Sequence, residues 1–434
     1  MFKTLRNAWK MADLRKKLLY TLLIIVIFRI GSAIPIPFVN TAAIEYMFNN
    51  ETSMLGYLNI LTGGSLANGT LFALSIQPYI NASIIIQLLM VAIPPLGRLA
   101  KEGEVGQKKV GMITRWVTLA LALIQAIGYY FILKSNYALD YTIEKNGFYG
   151  WYALVIILAC FTAGSCLIVW LGERIDEKGI GNGISMILFA GIVSQGPMAL
   201  STLIAYWNLA LTGETQFFFL VPLVVILFIA VIAFVIYFSN AERKLPVQYA
   251  KRVVGRKMYG GQSSYIPIKV NMSGVMPIIF ASSFVSLPAT IKTFANIPDT
   301  TFWGKVLGFM DPSGIPYGII YFLLIIFFNF FYVQIQYNPV EIANNLQKNN
   351  GAIPGIRPGK PTYEFIQKVL GKVVFLGALF LGLIATLPIV FSMFTGMNIQ
   401  LGGTTILIMV GVALETTQQM ESQMMMRHYK GFLE

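Results

Sequence analysis

The stretch LTGGSLANGTLFALSIQPYINASIIIQLL (61–89) decides how the rest of the chain is read. Its second part is apolar enough to cross a membrane, yet Pro78, Asn81, Ser83 and Gln87 interrupt it, and such groups are costly against lipid. Its first part (61–74) is too polar and glycine-rich to span but is flanked by apolar residues. One polar residue would serve as glue between helices. The cluster points to a helix lining an aqueous path, preceded by a short helix folded back into the membrane. Irregular backbone at that depth is tolerated only when buried in protein or facing water.

Long apolar runs recur on either side of it. They fall at about 18–37, 73–93, 113–133, 150–171 and 184–206, then at about 216–238, 273–291, 315–336, 370–391 and 402–420. With 434 residues, 56% hydrophobic and 12% charged, the chain lacks the charge that a soluble protein of this length needs on its surface. The first run follows six basic residues but contains Arg29 and has nine runs behind it, so it reads as a retained span, with Arg29 a snorkelling or helix-packing charge. The seventh, within VNMSGVMPIIFASSFVSLP (270–288), is broken like the second, by Gly274, Pro277 and Pro288. Five spans separate the two, and an odd number of spans per half inverts the second half on the first. The expected fold is an all-α polytopic membrane protein of ten transmembrane helices in two pseudo-symmetric inverted halves.

Charge sets the orientation. With the N-terminus on the cytoplasmic side, 27 of the 32 Lys/Arg fall in inside segments or, for Arg115 and Lys372, at the inside ends of spans, and four (Lys134, Lys145, Lys292, Lys305) outside, Arg29 being the remainder. The net charge is then +16 inside and −3 outside, which puts both termini in the cytoplasm and attracts anionic lipids. The organisation follows: an amphipathic segment (1–17) with Phe2, Leu5, Trp9 and Ala12 at helical spacing, a first half (18–206), a second half (207–420) and a tail (421–434). Two inside loops, 239–272 and 337–369, exceed what a helix connection needs. The first alternates apolar and basic residues around Gly260-Gly261 and suits a projecting hairpin. The second reads as a short helix and then a Pro/Gly-stiffened tip carrying Arg357 and Lys360. Stiff basic loops on one face suit docking of a large cytosolic partner.

Several chemistries are excluded. One histidine (His428) and two cysteines six apart (Cys160, Cys166) make no zinc, haem or thiol-redox centre. Pro354 stands where a phosphate-binding loop ending in Gly359-Lys360 needs glycine. No cofactor and no enzymatic activity are expected. The alternative to a pore is a secondary transporter of a small solute, which normally places ionisable residues near the midplane. Here only Arg29, Arg115, Lys372 and Glu415 fall within the span bounds, the last three toward the ends.

The motifs RIGSAIPIP (29–37), PYINASIIIQLL (78–89), WLGERIDEKGIGNGIS (170–185), QSSYIPIKVNMSGVMPIIFASS (262–283), NPVEIANNLQKNNGAIPGIRPGKPT (338–362) and LGGTTILIMVGVALETTQQMESQ (401–423) resemble the SecY family. The resemblance runs from the first span to the tail. It implies the central pore-forming subunit of the bacterial protein-conducting channel, a clamshell of two halves in the cytoplasmic membrane. Such a channel secretes preproteins and releases membrane proteins laterally, driven by the SecA ATPase or the ribosome beside SecE and SecG-like small subunits.

Carried over residue by residue, the resemblance puts a hydrophobic constriction at Ile76, Ile80, Ile184, Leu188, Ile279 and Ile408, with leucine at 188 in place of the isoleucine expected. Two of its pairs are spaced i, i+4, on one helical face. A plug falls at about 63–71 (Gly63, Gly64, Ser65, Leu66, Asn68, Gly69), and its glycines suit a marginally packed element that must leave. Spans two and seven become a lateral gate with Gln87, Asn271 and Pro277 near the seam. A Gln87–Asn271 polar pair would hold it shut by about 0.6–2 kcal/mol. Docking is implied for Arg357 above all, with Lys360, Arg243, Lys251, Arg252, Arg256 and Lys257.

Overall fold

The structure, a computed structural model, describes residues 2–44, 59, 62–135, 138–139, 147–212, 215–249, 252–254, 257–259, 263–294, 297, 301–308, 314–395 and 403–430. Helix α1 (Phe2–Lys10) is separated from α2 (Ala12–Gly31) by Met11 in extended conformation. A run of turns leads into α3 (Gln77–Ala92), and α4 (Pro94–Lys101) leaves it at 105°. Pro94 causes this bend by pushing the residue before it out of the helical region, and Ile93 has φ −111° and ψ 103°. Next come α5 (Glu104–Ser135), α6 (Gly147–Lys178), α7 (Gly183–Ser194), α8 (Gly196–Thr212) and α9 (Gln216–Ser239).

Strands β1 (Glu242–Tyr249), β2 (Arg252–Val254), β3 (Lys257–Tyr259) and β4 (Ser263–Lys269) precede α10 (Met276–Phe294), α11 (Phe302–Gly308) and α12 (Ile315–Gln336). The chain ends with α13 (Pro339–Lys348), β5 (Gly351–Ala352), α14 (Lys360–Thr395) and α15 (Gly403–Lys430). Helix occupies each of the ten apolar runs. Among the described residues, six helical stretches are long and apolar enough to cross a membrane, or seven with the bent α3–α4 pair. Of the remaining spans, α10 is a shorter apolar helix, while α2 and α15 carry charged ends.

The packing repeats between the halves: α3 lies against α5 and α5 against α6, as α10 lies against α12 and α12 against α14. Large apolar side chains remain on the outside, among them Ile226, Ile229 and Phe394, which water would penalise and lipid accommodates. Where α6 crosses α7, a Cβ on Gly183 would lie 1.9 Å from the Gly172 carbonyl oxygen. Only glycine permits that crossing, which seats the start of α7 against its neighbour.

The two long loops form one body. Strand β1 pairs antiparallel with β4, from Glu242 opposite Lys269 to Gln248 opposite Ser263, and its far end pairs with β5 at Gln248–Ala352 and Tyr249–Gly351. Leu245, Val247 and Ile268 from the hairpin close a small core with Ala343 and Leu346 of α13, Ile353, and Ile366 and Leu370 of α14. The expected hairpin and short helix are both present, fused by that core onto the end of a spanning helix.

One local expectation fails. The short helix read over 61–74 is not formed: residues 62–76 run as successive turns, Leu61 lying outside the described residues. Positive φ at Gly63 (69°), Gly64 (84°), Gly69 (54°) and Ser75 (48°) breaks any helical repeat.

Candidate functional site

Of the six positions assigned to the constriction, five are buried within one large apolar cluster and the sixth packs against it. Ile76 caps the N-terminus of α3 and Ile80 lies one turn on, its amide bonded to the Ile76 carbonyl at 3.1 Å. Leu188 on α7, Ile279 on α10 and Ile408 on α15 are buried with them in one apolar cluster, and Ile184 packs against it. Helices of both halves thus contribute to one apolar core.

The turns of 62–76 are fastened on several sides. The hydroxyl of Tyr129, on α5, donates to the Leu66 carbonyl at 2.8 Å. The backbone after α2 pairs with the same segment, Ile36 N–H to Gly69 O at 3.1 Å and Leu71 N–H to Ile34 O at 3.0 Å. Leu66 is buried beside Ile36, Ile44, Tyr129 and Phe161, and the Ser65 hydroxyl is buried without a partner. Gly63 and Gly69 are buried, Gly64 half-buried and Asn68 exposed. The segment is better packed than its glycine content led us to expect, because neighbouring side chains and strand-like pairing take up the polar groups that a helix would have satisfied internally.

Helices α3 and α10 lie against each other, so the seam between spans two and seven is closed. The expected Gln87–Asn271 pair does not hold it. Gln87 Nε2 donates to Ser83 Oγ at 3.3 Å, one turn back on its own helix, while Asn271 Oδ1 is buried with no partner. Pro277 is buried in the first turn of α10. The hydroxyl of Ser273 donates to Asn329 Oδ1, and Asn329 Nδ2 donates to the Val374 carbonyl at 3.0 Å, so the start of α10 is anchored to α12 and α14 rather than across the seam.

The SecY family profile matches residues 70–417. The translocase subunit SecY of Streptomyces coelicolor is 43% identical, with all of both chains covered. The chain belongs to the SecY family. Its fold matches a solved protein-conducting channel at a TM-score of 0.67 and 19% identity, over 94% of this chain and 92% of that one. It also matches Sec61 from the canine ribosome-channel complex of the endoplasmic reticulum at a TM-score of 0.64 and 18% identity, with the same two coverages. The small-solute carrier considered from sequence finds no support in these likenesses.

Of the positions that the resemblance assigns to docking in this SecY chain, Arg357, Lys360 and Arg243 lie on the fused loop body. Arg357 is exposed at the tip between β5 and α14, and Thr362 Oγ1 donates to its carbonyl at 2.8 Å, which fixes the turn that carries it. Lys360 opens α14, 3.9 Å from Glu364. Arg243 is exposed on β1. Beside it Lys244 bonds Glu242 at 3.1 Å, and that carboxylate lifts the ammonium above the ordinary lysine range. Arg252 lies on β2 and Lys257 on β3, whereas Lys251 and Arg256 lie outside the described residues. Among the described residues no group of His, Cys, Asp and Glu gathers to hold a metal.

Sequence reasoning passed over a junction at the C-terminal end of α15. Gln418 accepts from Lys269 Nζ at 2.7 Å, Gln419 from the Gly181 amide at 2.5 Å, Glu421 from Thr4 Oγ1 at 2.9 Å and Gln423 from Lys17 Nζ at 3.2 Å. One helix end ties together α1, α2, the α6–α7 turn and the β1–β4 hairpin. The polar run TTQQMESQ after an apolar span was its visible signal.

Proposed function

We propose that this chain is the protein-conducting subunit of a translocase in the cytoplasmic membrane of a bacterium. It passes unfolded preproteins outward and lets apolar segments leave sideways into lipid. The observation that carries this reading is the aliphatic cluster of Ile76, Ile80, Leu188, Ile279 and Ile408, with Ile184 against it, beside the turns of 62–76. A ring of branched aliphatics excludes water and ions by dewetting, yet yields around a chain of any side-chain chemistry. Residues 63–71 act as the plug of the idle channel. Helices α3 and α10 act as the lateral gate, with Gln87, Asn271 and Pro277 at its seam, between which an apolar signal segment inserts with about 0.8 kcal/mol gained per buried methylene.

The pore is passive, and work is supplied from the cytosolic side by the SecA ATPase or by the synthesising ribosome. Arg357 serves as the principal contact there, a charge-assisted donor on a stiff tip. Lys360, Arg243, Lys251, Arg252, Arg256 and Lys257 add contacts to acidic surfaces or RNA phosphates. SecE and SecG-like small subunits flank the two halves, divided at about residue 207. Both termini face the cytoplasm, and the basic inner face contacts anionic lipids.

A preprotein stalled in transit tests this. Cysteine at Ile279 is expected to crosslink to it along its length, and cysteine at Ile226, on the exposed face of α9, is not. Equal crosslinking at both positions, or none at Ile279, would falsify the pore reading.

A further inference from the structure

Arg29 lies in the last turn of α2 and is exposed. Its Nη1 donates to the Gly63 carbonyl at 3.2 Å and to Ser194 Oγ at 3.0 Å. The Ser194 hydroxyl has a single proton, and the Gly191 carbonyl at 2.6 Å is its nearest acceptor, so a lone pair is left to accept from Arg29. Three elements meet at this guanidinium: the end of α2, the end of α7 and the first turn of the 62–76 segment. The contact is close enough that a Cβ on Gly63 would lie 2.9 Å from Gly191 Cα, and one on Gly64 would lie 2.7 Å from Gln195 Nε2. Among the described residues, Arg29 is the charged side chain that bonds to the segment, and no carboxylate pairs with it.

We propose that Arg29 is the latch of the resting channel, a positioning residue that holds the first turn of the plug against the end of α7. This rests on reading residues 63–71 as the plug. The chemistry suits a latch. A carbonyl held by a guanidinium is a strong hydrogen bond for a neutral acceptor, yet it leaves without breaking an ion pair. Once the segment moves, the cation keeps its bond to Ser194 and can receive the carbonyl again. The other fastenings, Tyr129 to Leu66 and the pairing with Ile34 and Ile36, lie further along and hold the segment to α5 and to the chain after α2. Arg29 and Ser194 therefore fix the end of the plug that approaches α7, a helix contributing Ile184 and Leu188 to the proposed ring.

Idle ion leak through the purified channel in planar bilayers, without partner or preprotein, reads the latch. Arg29→Gln is expected to raise it about ten- to a hundredfold, the equilibrium worth of a hydrogen bond to a charged group. Ser194→Ala is expected to raise it less and to add little on top of Arg29→Gln. Leu66→Asp, which expels the plug whatever Arg29 does, supplies the control. In that background Arg29→Gln should add nothing, whereas a merely structural role would raise the leak in both backgrounds. Wild-type leak in Arg29→Gln beside a leaky Leu66→Asp overturns the latch and leaves the plug. A sealed Leu66→Asp channel overturns the plug reading itself. If Arg29→Gln melts early in detergent, Arg29→Lys, which keeps the charge and loses the fork, must leak more than wild type or the latch is overturned.

Discussion

The lead-in to α3 and the lead-in to α10 occupy corresponding places in the two halves and solve the same problem differently. Each has a residue at positive φ two positions before the helix, Ser75 or Gly274, and each helix carries proline at its second residue, Pro78 or Pro277. Before α3 the backbone makes a long run of turns whose carbonyls are taken by Arg29, Tyr129, Ser165 and the chain after α2. Before α10 the lead-in is a few residues, anchored by Ser273 through Asn329 to α14. In the function proposed above, the first half uses its broken helix to insert a plug. The second ties the start of α10, the proposed gate helix, to its neighbours. Similar helix packing in the two halves thus carries two unlike devices, and the difference lies in where the freed polar groups find partners.

The sharpest way to break that contrast is to remove the anchor on the second side. Asn329 is buried, and both ends of its amide are in use. Asn329→Leu leaves the Ser273 hydroxyl without its acceptor and frees the start of α10. We expect a loss of about 2 kcal/mol in stability, at the upper end for a polar contact between membrane helices, read by denaturant unfolding in detergent. Unchanged unfolding would mean that packing alone pins α10.

Much of this was visible before any coordinates. The ten helices follow from apolar runs and their bounding charges, and the loop hairpin follows from alternation around Gly260-Gly261. The aliphatic pairs at i, i+4 fall in one apolar cluster, since spacing on a helix is geometry. What could not be read was partner choice. Nothing in the sequence says that Gln87 bonds Ser83 on its own helix, that Asn271 Oδ1 is left alone, or that Tyr129 reaches Leu66 some sixty residues earlier. Each depends on how helices distant in sequence are rotated against one another. Residues 61–74 read as a short helix because apolar residues flank a stretch too polar to span, whereas four residues at positive φ decide the backbone. Only the glycines among those residues were a usable warning.

On the first side the comparison sharpens with Tyr129→Phe. The ring keeps its edge-on packing against Phe161, so the change isolates the bond to the Leu66 carbonyl. The carbonyl is left buried, at a cost of about 1 kcal/mol. Because that bond holds the segment to its own half, we expect up to a fivefold rise in idle ion leak with little change in unfolding, the reverse of the Asn329→Leu pattern. A drop in unfolding stability with no leak would show the segment to be fixed structure.

The smallest expected effect concerns the seam and carries the opposite sign to a polar clasp. Asn81 on α3 and Asn271 before α10 each keep a buried amide oxygen without a partner while the seam is closed. An acceptor stranded in the closed state is relieved when opening admits water or a peptide N–H, so it biases the gate toward opening. Asn271→Leu removes that strain and should favour the closed gate by up to about 1 kcal/mol. Translocation of a preprotein with a shortened apolar signal should then slow by up to about fivefold, while one with a full-length signal is unaffected. Gln87→Leu breaks only the bond within its own helix and should change the rate less than twofold. Faster translocation of the shortened signal in both variants would restore the clasp, and would mean that Gln87 and Asn271 find each other in a state of the gate other than this one.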